Sequence, residues 1–143
     1  MYKVLLPLAL AGLSATALAE TTLIDTSVLP AMQVYDVAEL TPLAVSAAGA
    51  PAVVLLDLDN GDVVPPHATE SGLRLLTVLS GEMSWGDGST IDQTQETVYP
   101  AGSILTLPAG QDHWLAARGG DVRLQLIVLD DENAVPEVLE QMR

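Results

Sequence analysis

The chain holds two histidines and no cysteine, so any site that needs an imidazole must be built from His67 and His113. His67 follows Gly61-Asp-Val-Val-Pro-Pro, and His113 follows Gly102-Ser-Ile-Leu-Thr-Leu-Pro108-Ala-Gly110-Gln-Asp. An imidazole can ligate a metal, exchange a proton near neutral pH, or donate a hydrogen bond. These two positions therefore carry most of the chemistry on offer. Close to them in sequence stand Thr69, Glu70, Arg74 and Asp112, which would share a site with the histidines if the fold brings the two segments together. Other chemistry is excluded. Without cysteine there is no thiol nucleophile, thiolate metal site or disulfide. Ser71, Ser80 and Ser84 lack the setting of a nucleophile elbow, and no lysine follows Lys3, which removes Schiff-base catalysis from the chain beyond its leader.

The elements that must position these side chains are short. Between Ala52 and Leu129, apolar or alternating runs are separated by Gly, Pro and Asp, the pattern of an all-β sandwich or barrel. Strands are expected near Val53 to Leu58, Arg74 to Leu79, Glu82 to Trp85, Thr97 to Tyr99, Ser103 to Leu107, His113 to Ala117 and Val122 to Leu129. Gly86-Asp87-Gly88 reads as a turn, and Ser89 to Glu96 as an edge strand or loop. The acid-rich stretch from Asp57 to Asp62 lacks the closing Glu of a calcium loop and is also read as a turn. Residues 20–50 are expected to form an arm across the barrel, with at most one helical turn around Val37 to Leu40. From Pro136 to Arg143, Val138, Leu139 and Met142 fall at helical spacing with Val135, which predicts a short terminal helix.

With its order and spacing, the set Gly61, His67, Gly81, Gly102, Pro108, Gly110 and His113 resembles the two motifs of the cupin superfamily. The likeness spans about residues 50–130 and implies a double-stranded β-helix, the jelly-roll barrel. The division expected is a signal peptide at 1–19, an arm at 20–50, the barrel at 51–130 and a C-terminal helix within 131–143. In the superfamily, H-x-H and Glu of the first motif join the His of the second to hold iron, manganese, nickel or zinc. Here His67 and His113 match, but Thr69 stands at the second His, Arg74 at the Glu and Ala117 at the closing Asn. A single divalent transition metal on His67 and His113 would need Glu70 or Asp112 as a substitute ligand, because catalytic sites normally supply three protein ligands. Strand alternation points both acids away from the histidine face.

The favoured reading of the sequence is a metal-independent or weakly metal-binding pocket in which His67, Thr69, Arg74 and His113 converge on a small molecule. Arginine's planar fork suits a carboxylate, so an anion is the expected guest, with the histidines as donors or as an acid/base pair. Two alternatives stay open. One is a metal-dependent oxidoreductase, dioxygenase-like, or isomerase with an altered ligand set; the other is a structural or oligomerising barrel without catalysis. Trp85 and Trp114 are candidates for the mouth of the barrel, or simply core.

Five Lys and Arg against nineteen Asp and Glu give a net charge of −14. Such a surface repels phosphate backbones and anionic lipid, so neither nucleic acid nor membrane is an expected partner; a small-molecule ligand and a homodimer are. Lys3, the apolar run Val4 to Leu13 and Ala17-Leu18-Ala19 together read as a secretory signal cleaved after Ala19, which places the mature protein in the periplasm or outside the cell. About 124 residues would remain, enough for one domain with a core of its own.

Overall fold

The computed structural model describes residues 19–129; the expected leader, apart from Ala19, and the expected terminal helix lie outside them. Ten strands follow in chain order: β1 (Met32–Val34), β2 (Ala38–Val45), β3 (Pro51–Leu58), β4 (Val63–His67), β5 (Leu73–Ser80), β6 (Glu82–Asp87), β7 (Thr97–Pro100), β8 (Ile104–Pro108), β9 (His113–Ala116) and β10 (Val122–Leu129). They form two antiparallel sheets, one ordered β1-β2-β3-β10-β5-β8 and the other β4-β9-β6-β7. Among the described residues, helix is confined to single 3-10 turns at Thr26–Val28 and Gln93–Gln95. No helix among the described residues is long and apolar enough to cross a membrane.

The core lies between the sheets because alternate residues of each strand face inward. Leu56 and Leu58 of β3, Leu76 and Val78 of β5 and Leu124 of β10 come from the larger sheet; Val64, Met83, Trp85 and Leu115 come from the smaller one. Burying a Leu or Val side chain stabilises the fold by about 1.5–3 kcal/mol, so these positions set the register of each strand. Gly81 closes the β5–β6 connection at φ +77°, where a Cβ would run into the Asp121 carbonyl oxygen. Only glycine fits there.

The arm differs from expectation. Residues 32–34 and 38–45 are strand, with a tight turn between them and no helical turn around Val37 to Leu40, and β2 pairs along β3 from Ala38↔Leu58 to Val45↔Pro51. Pro42 hides this strand from a propensity reading. It is tolerated because β1 pairs with β2 only from Ala38 to Leu40 and because the β2–β3 register slips between Pro42 and Ala44, so the missing N–H interrupts little. Strand β4 was hidden by Pro65 and Pro66 in the same way; it lies at a sheet edge, and its ladder with β9 breaks between Val64 and His67. Gly86 and Asp87 continue β6 instead of turning, and Ser89 to Glu96 contains no strand.

Candidate functional site

The irregularity that admits the two prolines also aims His67. Past the break, His67 sits directly opposite His113 across the β4–β9 ladder, and the two imidazoles meet edge to face with centroids 4.5 Å apart. On the far side of His113 the indole of Trp85 stacks at 4.5 Å and 18°. On the far side of His67 lies the ring of Tyr35, 4.6 Å away. Four rings thus run in a row across one end of the barrel, drawn from β6, β9, β4 and the β1–β2 turn.

The two histidines share a local geometry that fixes their chemistry. Nδ1 of His67 lies 2.9 Å from the Pro65 carbonyl oxygen, and Nδ1 of His113 lies 3.1 Å from that of Gln111. A carbonyl oxygen only accepts, so each Nδ1 carries the proton and donates it, which leaves Nε2 of each neutral ring as a bare lone pair. Burial pushes the pKa of His113 down, and the neighbouring His67 adds to the effect. At His113 the site therefore offers an acceptor near neutral pH, where the sequence suggested a donor.

Beside His113 opens a cleft of about 270 Å³, near the lower end of the range of about 300–1,000 Å³ usual for small-molecule sites. Trp85 and Tyr99 supply an aromatic wall, Leu105, Leu107 and Pro108 an apolar one, and Asp87, Thr106 and Gln111 the polar rim. Asp87 lies opposite His113 in the β6–β9 register, and its Oδ1 accepts from the Trp85 indole at 3.0 Å.

Arg74 is not part of this cleft. Register places it opposite Leu107 and Val128, on the same side of β5 as Leu76 and Val78 and so facing inward at the strand's end, yet its guanidinium donates to the Ser71 carbonyl oxygen at 3.3 Å. No hydrogen bond or ring contact joins it to either histidine. The Thr69 hydroxyl is buried without a partner, while its carbonyl accepts from Gly110 N–H, which ties the β4–β5 connection to the segment before His113. Trp114 faces away from the barrel. Its indole packs over Gly86, where a Cβ would run into the ring, and donates to Glu96 at 2.8 Å; Arg118 grips the same carboxylate with two hydrogen bonds.

The side chains around the histidines do not suit the metal that the sequence resemblance implies. Glu70 and Asp112 are both exposed, and among the described residues no three His, Cys, Asp or Glu side chains gather into a group able to hold an ion. Two imidazoles fall short of the three protein ligands of a catalytic centre, so the described residues do not fit one.

Searches with the sequence found no matching family model and no matching curated protein. Structural likeness is clear. A protein described as a predicted oxalate decarboxylase from Thermotoga maritima aligns at a TM-score of 0.61 and 15% identity, over 76% of this chain and 98% of the other. A cupin superfamily protein from Desulfitobacterium hafniense aligns at 0.53 and 22%, over 78% and 94%. This chain has the cupin fold. A third cupin-fold relative, KdgF from Halomonas sp., aligns at 0.54 and 16%, over 73% and 91%. Within the cupin barrel, His113 stands on β9, where a strand was expected, and His67 on β4, where none was. Tyr35, Asp87, Tyr99 and Gln111 were missed by sequence reasoning: Tyr35 sat in the supposed arm, and Asp87 in a supposed turn.

Proposed function

We propose that this chain is an exported small-molecule-binding protein of the cupin fold, whose ligand sits in the cleft between Trp85, Tyr99 and His113 and which works without a metal or with only a weakly held one. The observation that carries the reading is the row of rings ending at the cleft, where the Nδ1 proton of His113 is committed to the Gln111 carbonyl and its Nε2 is left as an acceptor beside the Trp85 and Tyr99 rings. Aromatic walls with a few fixed polar groups are what a small-molecule site requires. Export rests on the leader pattern from Lys3 to Ala19. Oxalate decarboxylation and the activities of other cupin-fold proteins do not transfer with the fold.

The test uses the mature chain from Glu20, made without an affinity tag. After reloading with iron, manganese, nickel and zinc in turn, elemental analysis should find well below one ion per chain. A fragment screen followed by NMR should move the Trp85 indole N–H resonance and leave that of Trp114 in place. A tightly held stoichiometric metal, or fragments that move neither indole, would overturn the proposal.

A further inference from the structure

We infer that the guest of this cleft is a small organic cation, an ammonium group carried on a flat apolar body, with Asp87 as its specificity determinant. The inference rests on the small-molecule reading above and names the ligand class. It follows from what the cleft can and cannot offer. The described residues contain three arginines and no lysine, and each arginine is engaged elsewhere: Arg74 on the Ser71 carbonyl, Arg118 on Glu96, and Arg123 on Asp57. None lines the cleft. His113, the one histidine that lines the cleft, does not replace them as an anion partner near neutral pH, because its Nδ1 proton is spent on the Gln111 carbonyl and burial favours its neutral form. A carboxylate entering the cleft would find no cation to meet it and would leave water uncompensated.

A cation finds the reverse. Only one oxygen of Asp87, Oδ1, takes the Trp85 N–H, which holds the carboxylate at the rim with Oδ2 left for a guest. The indole of Trp85 and the phenol of Tyr99 supply faces that attract positive charge, and His113 Nε2 and the Gln111 side chain are further acceptors within reach of the same space. The net charge of −14 draws cations toward the molecule from a distance. Aromatic faces, one oriented carboxylate, neutral acceptors and no opposing cation together select an ammonium over a carboxylate.

The experiment compares three probes of one shape, benzylamine, benzyl alcohol and benzoate, by titration at pH 7 on the full mature protein, read on the Trp85 indole N–H. Benzylamine should bind at least tenfold more tightly than benzoate, with the alcohol between them. Asp87→Asn keeps an oxygen for the Trp85 N–H while removing the charge. It should weaken benzylamine about tenfold and leave benzyl alcohol unchanged. If benzoate binds as well as benzylamine, or if Asp87→Asn weakens the amine and the alcohol alike, the cation inference falls while the cleft stands as a ligand site. If none of the three moves the Trp85 resonance, both fall.

Discussion

The His113 ring shows how one side chain can be legible in sequence yet opposite in character to what sequence suggests. Its place, like that of His67, was readable from the distances to Gly102, Pro108 and Gly110, because such spacing fixes where a strand begins after a turn. Its polarity was not, because that depends on a carbonyl two residues back. The same holds for Arg74: Leu73, Leu75 and Leu76 make both faces of β5 apolar, and even an inward register leaves a long flexible side chain free to find the Ser71 carbonyl. A consequence of the buried neutral ring is a defined pH dependence. An unfolded histidine titrates near 6.5, while the folded His113 lies lower because of burial and His67. The unfolded chain therefore takes up the proton first as pH falls. The stability contributed is complete above about pH 6.5 and is lost as pH drops from there through the folded value. In urea unfolding at pH 7.5 and 5.5, His113→Gln should show a smaller loss between the two than the natural protein. An equal loss would mean that His113 is not the group responsible. Glu96, held low chiefly by its hydrogen bond to Arg118, acts in a separate window below its ordinary 4.5, so the two effects do not overlap.

At the scale of elements, seven strands were readable because they carry apolar alternation between glycine and proline punctuation, and three were not. Prolines concealed β2 and β4, and β1 spans only Met32–Val34, too short for a periodic signal. The β1–β2 turn has its own physics. Val37 N–H bonds to the Val34 carbonyl at 3.3 Å, and the two central residues, Tyr35 and Asp36, both adopt left-handed backbone at φ +54° and +61°. Those are the angles of a type I′ hairpin turn, where Asn-Gly is the favoured pair. A left-handed tyrosine costs roughly 1–2 kcal/mol, and here the conformation coincides with its ring lying on His67. Replacing Tyr35-Asp36 by Asn-Gly should therefore stabilise the protein by about 1 kcal/mol, the relief being partly offset by glycine's freedom in the unfolded chain. The accompanying change should be a shift in the His67 ring resonances as the tyrosine's ring current is lost. A stabilised protein with unmoved His67 signals would show that the Tyr35 contact does not persist in solution; a destabilised one would show that the contact outweighs the strain.

For the whole molecule, the fold is far more recognisable than the sequence. Alignments at 15–22% identity still superpose 73–78% of this chain on cupin barrels, because a jelly roll asks only for alternation, turn residues and a few fixed glycines, which many sequences satisfy. Surface charge is under no such constraint, and here it is extreme. Nineteen acidic residues face five basic ones, and among the described residues only two ion pairs form, Arg118–Glu96 and Arg123–Asp57. Salt should act on these ion pairs and on the unpaired acids in opposite directions. It weakens the exposed Arg123–Asp57 pair, which is worth at most about 1 kcal/mol, and it barely touches Glu96, whose side chain is 4% exposed. It also screens the repulsion among the unpaired acids, which opposes the compact state at every pH where they are charged. Repulsion involves many charges and attraction few, so screening should favour folding. Raising sodium chloride from about 20 mM to about 500 mM, which shortens the screening length from beyond 20 Å to about 4 Å, should raise Tm by several degrees at pH 7. Most of that gain should vanish at pH 4, where many of the acids are protonated and the repulsion is already relieved. A Tm that falls with salt at pH 7 would mean that the two ion pairs outweigh the repulsion, and that the acidic surface is not what limits the stability of the barrel.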